Sequence, residues 1–252
     1  MIEFLTGPEG RRIAYRRRAG KGPGVVFLGG FKSDMEGTKA QALDAWAART
    51  GRAFLRFDYS GHGASSGAFE AGAIGAWAAD ARAALEGLTE GPQVLVGSSM
   101  GGWIALLLAR AMPERVAGLV GIAAAPDFTE DLLWAGMTEA ERARLLAEGR
   151  LERPSDYSEA PYVYTRRLIE EGRSQLVLRA PLRLAMPVRL LQGTADADVP
   201  VALALRLLEH AEGADIRLTL VKGADHRFST PDCLALVEQA VAEVLGVGVL
   251  GA

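Results

Sequence analysis

The sequence predicts an α/β fold, in which helices cover both faces of a mostly parallel sheet. Three observations lead to this prediction. Short apolar runs alternate along the chain with longer stretches rich in alanine and leucine. Most of these runs are apolar throughout and end at turn residues, which is typical of strands buried on both faces of a parallel sheet. At the start of the chain two strand-like runs follow each other directly, which predicts an antiparallel edge.

Eight strands and five helices account for these patterns. The predicted strands are residues 2–5, 12–17, 25–28, 54–57, 94–96, 119–122, 188–191 and 218–221. The predicted helices are residues 38–50, 72–88, 100–111, 201–210 and 233–245. Gly51 follows the first helix directly, where a glycine commonly ends a helix in the left-handed conformation.

The alternation breaks once, between residues 127 and 187. This segment is predicted to be helical and charged, and Thr138 stands where a helix N-cap is expected. It holds four of the nine tryptophans and tyrosines, namely Trp134, Tyr157, Tyr162 and Tyr164. About 60 residues are too many for a loop. We therefore expect one domain, residues 1–252, with a lid at about 127–187 over the C-terminal ends of the strands, where open α/β sheets bind ligands.

Composition excludes several classes of protein. With 49% apolar and 23% charged residues, the chain has enough apolar surface to fold. A net charge of −3 gives no basic field for nucleic acid or an anionic membrane. The longest apolar stretch, residues 103–109, is far shorter than a membrane span. Cys233 is the single cysteine, so neither an internal disulfide nor a cysteine metal knuckle can form. With no signal-like start, a cytoplasmic location is expected.

The strongest chemical signal is a serine flanked by glycines at residues 97–101, Gly-Ser-Ser-Met-Gly. It matches G-x-S-x-G, a sharp turn from strand to helix that exposes a serine hydroxyl. Residues 63–67 match the same pattern around Ser65. Only Ser99 has a buried strand before it and an apolar helix after it. We therefore predict that Ser99 is a nucleophile.

A serine needs a base, and the base needs a carboxylate to orient it. After a turn of this kind the acid and then the histidine follow along the chain. His62 precedes Ser99, which leaves it as a turn residue near the site mouth. His210 ends a predicted helix, where it would face the helix dipole or solvent. His226 lies in the loop after the last strand and is the predicted base.

The acid is expected after the preceding strand, where two aspartates compete. The pattern G-x-x-D-x-x-V-P, which many α/β-hydrolases carry here, covers residues 193–200 and favours Asp196. Asp198 is the alternative, with a competing role as a cap of the next helix. Asp225, beside the base, is interpreted as a loop residue.

Two backbone amides are needed to bind the oxyanion of a tetrahedral intermediate. One is expected from Met100, the residue after the nucleophile. The other is expected from the loop after the third strand, where Phe31 follows Gly29 and Gly30. This glycine pair lacks the spacing of a nucleotide-binding loop.

These residues resemble the α/β-hydrolase superfamily over nearly the whole chain. More narrowly, the chain is similar to the abhydrolase-domain esterases that act as palmitoyl-protein thioesterases and acyl-glucuronide esterases. The matching stretches are residues 37–40, 56–61, 91–103, 154–158 and 225–227. The resemblance implies an eight-stranded α/β-hydrolase fold and hydrolysis of small-molecule esters or thioesters through Ser99, Asp196 and His226, without a metal or organic cofactor. Gln192 stands where relatives often have histidine, and we expect no catalytic consequence.

Other functions on this fold stay open. An acyltransferase or a C–C bond hydrolase would use the same triad, so the fold and triad do not distinguish them. A non-catalytic binding module is disfavoured because no triad member is missing. On a predicted lid helix, Arg166, Arg167 and Arg173 are interpreted as a solvated face; the alternative is that one of them binds a substrate carboxylate.

Overall fold

The structure has a central sheet, and the eight strands predicted from the sequence all occur in it, in the same order along the chain. The structure is a computed structural model that describes residues 1–154 and 161–247. The described residues form twelve strands: β1 Glu3–Thr6, β2 Arg12–Arg18, β3 Lys21–Leu28, β4 Arg52–Phe57, β5 Gln93–Ser98, β6 Val116–Ile122, β7 Arg150–Arg153, β8 Tyr162–Thr165, β9 Leu182–Arg183, β10 Val188–Gly193, β11 Ala211–Glu212 and β12 Ile216–Val221. The predicted lid residue Tyr157 lies outside the described residues, as does most of the matching stretch 154–158.

Eight of these strands form one sheet in the order β1-β2-β4-β3-β5-β6-β10-β12. Strand β2 is antiparallel to both its neighbours, and the pairs from β4 to β12 are parallel. The predicted mostly parallel sheet with an antiparallel edge is confirmed. Because the parallel strands share a direction, the loops that follow β3, β5, β10 and β12 all emerge at the same edge of the sheet.

Seven α-helices accompany the strands in the described part of the chain. They are α1 Thr38–Thr50, α2 Ile74–Leu88, α3 Met100–Ala111, α4 Glu139–Glu148, α5 Arg166–Gly172, α6 Val201–His210 and α7 Pro231–Val244. Helix α2 begins two residues later than predicted, after a short 3₁₀ turn at Phe69–Ala71. Helix α7 begins earlier, because the Thr230 side chain accepts the Cys233 amide and caps the helix.

Helices cover both faces of the sheet, as predicted. On one face α2 and α3 bury Trp77 and Trp103 against the strands. On the other face α1 and α7 bury Trp46 and Val241. Cys233 is also buried on that second face, as a small apolar residue. The two apolar layers enclose the sheet and hold the strand ends at fixed positions.

The segment 127–187 differs from the prediction in one respect. It holds α4, α5 and a π-helix at Thr129–Trp134, but also an antiparallel pair of strands, β7 and β8. The sequence of β8, Tyr-Val-Tyr-Thr, consists of aromatic and β-branched residues, which favour a strand over a helix. The prediction of a helical segment therefore did not include these two strands.

Asp127 ties the start of this segment to its end. Its side chain is fully buried and accepts the amides of Val177, at 2.8 Å, and Leu178, at 3.0 Å. It also pairs with Arg179 at 2.8 Å. These bonds use both carboxylate oxygens, so the two ends of the segment are held together where it joins the sheet.

We expect Asp127→Ala to lower the free energy of unfolding by about 3 kcal/mol, because it leaves two buried amides without their acceptor and removes one of the two carboxylates that pair with Arg179. Urea denaturation measures this effect. Glu130→Ala is the control, since it removes only a partly exposed partner of Arg173, and a change of about 0.5 kcal/mol or less is expected. Equal effects of the two substitutions would contradict the anchoring role.

Candidate active site

Ser99 sits at the sharp turn between β5 and α3. Its backbone has φ of 53° and ψ of −118°, a conformation that is costly for a residue other than glycine. Neighbouring backbone holds it there: the Ser99 amide donates to the carbonyl of Ile122 at 2.9 Å, and its carbonyl accepts the amide of Ala125 at 3.1 Å. The strained turn is thus fixed by the strand next to it.

Two glycines around Ser99 are required by close packing. A side chain on Gly101 would place its Cβ 2.0 Å from the carbonyl oxygen of Leu28, and one on Gly97 would lie 2.3 Å from the oxygen of Gly101. No Cβ fits at such distances. The G-x-S-x-G pattern here therefore reflects a turn packed against β3, which is the context predicted for Ser99.

The second match to the pattern, around Ser65, has a different environment. The Ser65 hydroxyl donates to the carbonyl of Asp58 at 2.7 Å and accepts the amide of Ala14 at 2.8 Å. Both of its hydrogen bonds join backbone segments, so this serine connects β2 to the turn after β4.

His226 reaches Ser99 from the loop after β12. Its Nε2 lies 3.1 Å from the Ser99 hydroxyl, and its Nδ1 lies 2.9 Å from a carboxylate oxygen of Asp196. The three predicted residues therefore form a hydrogen-bonded chain, although 127 positions separate Ser99 from His226. This is the arrangement in which a histidine can take a proton from a serine while a carboxylate holds the other ring nitrogen.

Asp196 is held by a set of donors. Its side chain is fully buried. One oxygen accepts the amides of Asp198 and Val199, and the other accepts His226 and the side-chain amide of Gln192 at 2.9 Å. Burial alone would raise the pKa of Asp196, but the hydrogen bonds from His226 and the other donors outweigh it and lower the pKa. The carboxylate is thus ionised when it faces the imidazole.

Gln192 contacts the Asp196 carboxylate directly, and the expectation that it has no catalytic consequence stays a prediction. It is buried, and its side chain joins the Asp196 carboxylate to the carbonyl of Val199. The N-cap of α6 is Pro200, which makes no side-chain bond, and the capping role of Asp198 stays a prediction.

The other two histidines lie elsewhere. His210 is bonded to the carbonyl of Ala180 at 2.8 Å, at the end of α6. His62 lies in the turn after β4, where it is 3% exposed and packs among the rings of Tyr59, Phe69 and Trp77. This burial was not predicted, because the flanking glycines indicate a turn but not whether it is buried.

The loop after β3 lies against Ser99. A Cβ on Gly30 would be 3.5 Å from the Cβ of Ser99. No hydrogen-bond acceptor for the amide of Phe31 lies among residues 1–154 and 161–247. The Phe31 ring contacts Phe128 and Tyr164 of the segment 127–187. This loop therefore joins the nucleophile to the inserted segment.

A cavity of about 500 Å³ opens at Ser99 and His226. One side of it is apolar and aromatic, lined by Phe31, Phe128, Leu132, Leu133, Tyr162 and Tyr164. The other side is polar, lined by Lys32, Ser33, Asp34, Thr38, Lys39, Arg227 and Ser229. Arg166, Arg167 and Arg173 are not among the lining residues. Arg166 pairs with Glu170 and Arg173 with Glu130, in keeping with a solvated face.

Lys39 brings a partly buried ammonium to the polar side. Its Nζ donates to the carbonyl of Arg227, the residue after His226. Desolvation lowers the pKa of Lys39 to about 8, opposed by the nearby Asp225 and aided by Arg227. Nothing in the pattern of the sequence pointed to this lysine beyond the short stretch 37–40 shared with the resembling family.

Because its pKa in the folded state lies below the ordinary 10.5, the charged Lys39 destabilises the fold at neutral pH. This penalty shrinks as the pH rises from about 8 towards 10.5, where the unfolded state also loses its proton. We expect Lys39→Met to raise the free energy of unfolding by about 1–2 kcal/mol at pH 7, and by less at pH 10. Urea denaturation at both pH values measures this. The exposed Lys222→Met is the control, and a Lys39 variant that is less stable at pH 7 would refute the expectation.

One group of side chains has the spacing of metal ligands. Ligating atoms of Asp196, Asp198 and His226 lie within 4.8 Å of one another. However, Asp196 and His226 are bonded to each other, and both oxygens of Asp196 already accept hydrogen bonds. The donor set therefore suits an oriented imidazole better than a bound cation.

Across the two described ranges, no helix combines the length and apolar character that crossing a membrane requires.

The fold and the geometry at Ser99 are those of a hydrolase with a nucleophile elbow. Residues 25–244 match the alpha/beta hydrolase family, so the chain belongs to this family and is a hydrolase. It is similar to the mitochondrial palmitoyl-protein thioesterase ABHD10. It is 38% identical to the Rattus norvegicus protein over 228 residues, which cover 90% of this chain and 76% of that relative. It is 34% identical to the Homo sapiens protein over 245 residues, covering 97% and 80%.

Solved structures agree with this assignment. A putative hydrolase from Agrobacterium vitis S4 superposes with a TM-score of 0.93 and 42% identity, covering 97% of this chain and 98% of the other. Alpha/beta hydrolase domain-containing protein 10 from mouse gives 0.91 and 34%, covering 98% of each. The resemblance to the abhydrolase-domain esterases predicted from the sequence is thereby confirmed.

Proposed function

We propose that this protein is a serine hydrolase that cleaves carboxylic esters or acyl thioesters through an acyl-enzyme intermediate. The observation that carries the proposal is the chain of hydrogen bonds from Ser99 through His226 to Asp196, at 3.1 and 2.9 Å. The similarity to proteins named palmitoyl-protein thioesterases supports the choice of acyl substrates.

In the first half of the reaction Ser99 Oγ attacks the carbonyl carbon of the substrate while His226 Nε2 takes the hydroxyl proton. The ionised Asp196 keeps the other imidazole proton on Nδ1 and stabilises the imidazolium. The oxyanion of the tetrahedral intermediate is bound by the amides of Phe31 and Met100. As the intermediate collapses, the bond to the leaving group breaks, and His226 gives its proton to the departing alcohol or thiol.

In the second half a water molecule attacks the acyl-Ser99 ester, and His226 again acts as the base. The carboxylic acid leaves, and the proton returns to Ser99. Every proton is transferred between substrate, water and these side chains, so the residues of this chain are sufficient for the reaction.

The two sides of the cavity support an assignment of the substrate. We propose that the aromatic side, which includes Phe128 and Tyr164, holds a largely apolar acyl group, and that the leaving group faces the polar side near Lys39. The segment 127–187 then acts as the lid of a single domain, because it supplies most of the apolar lining. The cytoplasmic location stays a prediction, since the named relatives are mitochondrial proteins.

A panel of p-nitrophenyl esters and matched acyl thioesters of rising chain length tests the proposal. Activity should rise with acyl length until the apolar side is filled. Product analysis with added alcohol or amine should give the free acid as the main product, whereas acyl transfer to the acceptor would indicate a transferase. A fluorophosphonate probe should label one residue, Ser99, as read by peptide mass spectrometry. Labelling at another serine, or failure to cleave any member of the panel, would contradict the proposal.

A further inference from the structure

His62 is a buried histidine that the proposed reaction does not use. The centroid of its ring lies 5.6, 5.0 and 5.1 Å from those of Tyr59, Phe69 and Trp77, and it is 3% exposed. A phenylalanine would fill this aromatic space equally well and would need no hydrogen-bond partners. The two ring nitrogens therefore call for an explanation of their own.

Both nitrogens have partners, and the partners define the tautomer. Nδ1 lies 3.2 Å from the carbonyl oxygen of Ser60, which can only accept, so Nδ1 carries the proton. Nε2 is left with its lone pair and accepts the backbone amide of Lys32 at 3.3 Å. Burial lowers the pKa of His62 to about 4, so the ring is neutral near pH 7 and the lone pair is available.

Lys32 is the residue whose conformation this bond supports. The amide of Ser33 donates to the carbonyl of Gly30 at 3.2 Å, which closes a turn through Phe31 and Lys32. Lys32 has φ of 59°, in the left-handed region that costs a lysine about 1 kcal/mol or more. The turn thus has a strained residue directly after Phe31, and the His62 acceptor offsets that strain.

His62 is itself held by the core. The amide and the hydroxyl of Ser60 both donate to Asp80 of α2, at 2.9 and 2.6 Å. The indole of Trp77 donates to the same Ser60 carbonyl at 3.0 Å. Asp80 is fully buried and pairs with Arg11. Helix α2 therefore holds Ser60 in place, and Ser60 in turn fixes the position of His62 Nε2, which accepts the Lys32 amide.

We propose that His62 is a positioning residue for the oxyanion hole: by binding the Lys32 amide it sets the turn that presents the Phe31 amide beside Ser99. The neighbouring Lys32 amide is occupied by His62, whereas the Phe31 amide has no acceptor among the described residues. The inference rests on the proposed function, because an oxyanion forms only if Ser99 attacks an acyl group.

Three variants separate this role from simple packing. His62→Phe keeps a ring in the aromatic space and removes both bonds. In His62→Asn the side-chain amide can still donate to Ser60 but is too short to reach Lys32. In His62→Gln the side-chain oxygen can occupy the position of Nε2 and accept the Lys32 amide.

For His62→Phe and His62→Asn we expect kcat on a neutral p-nitrophenyl ester to fall about 10–100-fold, less than the loss of a whole oxyanion donor. KM should stay within about three-fold. Affinity for a trifluoromethyl ketone that forms a tetrahedral adduct should fall by the same factor as kcat, while affinity for a fatty alcohol should not change. His62→Gln should recover most of the loss. Equal losses of ketone and alcohol affinity, or no rescue by glutamine, would overturn the proposal.

Hydrogen exchange at the Lys32 amide provides a readout that does not depend on catalysis. Exchange should be slow in the wild type and in His62→Gln, and at least ten-fold faster in His62→Asn. If the wild type neither cleaves esters nor reacts with fluorophosphonate, the proposed function fails, and the exchange result still decides whether His62 holds the turn. Equal protection in all variants would refute that role.

Discussion

Replacing Ser99 with alanine is expected to lower kcat for ester hydrolysis by about a thousand-fold or more. Without the hydroxyl no acyl-enzyme can form, and the remaining activity would come from water attacking a substrate bound at the oxyanion site. KM should change little, because the apolar side of the cavity is untouched. Steady-state hydrolysis of the best p-nitrophenyl ester measures the effect, and fluorophosphonate labelling should be lost at the same time.

Ser65→Ala is the matched control, because Ser65 stands in the other G-x-S-x-G sequence of the chain. It should lower thermal stability, since its hydroxyl joins Asp58 to Ala14, but it should leave kcat per folded molecule nearly unchanged. If the Ser65 variant lost kcat while the Ser99 variant stayed active, the nucleophile would be Ser65 and the assignment to Ser99 would be wrong.

Asp196→Asn is expected to lower kcat by about four orders of magnitude, the loss seen for the same change in a serine-protease triad. The side chain at position 196 keeps nearly the same size, but the asparagine amide donates to Nδ1 of His226 and shifts the imidazole proton to Nε2. That nitrogen can then no longer accept the proton of Ser99. The rate should partly recover as the pH rises and hydroxide deprotonates the serine.

Asp198→Asn serves as its control, two residues away in the same loop. Asp198 contributes its backbone amide to Asp196, and this donor is unaffected by the substitution. A change in kcat of less than about ten-fold is expected. Should the Asp198 variant lose more activity than the Asp196 variant, the acid of the triad would have to be reassigned.

The residues brought together at the site were predictable because their signals are local. A buried strand, a glycine-flanked serine and an apolar helix follow one another within 93–111, and each limits the backbone there. The parallel sheet then places the loops after β10 and β12 at the same edge, so an aspartate and a histidine in those loops must approach Ser99. Once the motif around Ser99 is recognised, the sheet topology is therefore enough to predict that Asp196 and His226 lie beside it.

Contacts between distant turns were not predictable in this way. Lys32 and His62 come from different loops, and neither has a pattern that reveals the bond between them. The bond from Gln192 to Asp196 was not predicted either, because a position at the end of a strand does not determine the direction of a side-chain amide. The antiparallel pair of β7 and β8 was not predicted, because the charged, helix-forming residues on either side indicated a helix. The bond between Lys32 and His62 and the orientation of the Gln192 amide depend on tertiary packing, which local preferences do not determine.

The positions of Ser99 and His226 along the chain also determine the order in which the proposed site can assemble. Ser99 lies in the first half of the sequence, while His226 lies 127 residues later and joins the site only after β12 has paired with β10. A growing chain on the ribosome can complete the turn around Ser99 but has no base with which to activate it. The proposed triad is therefore complete only when β12, the last strand, has joined the sheet.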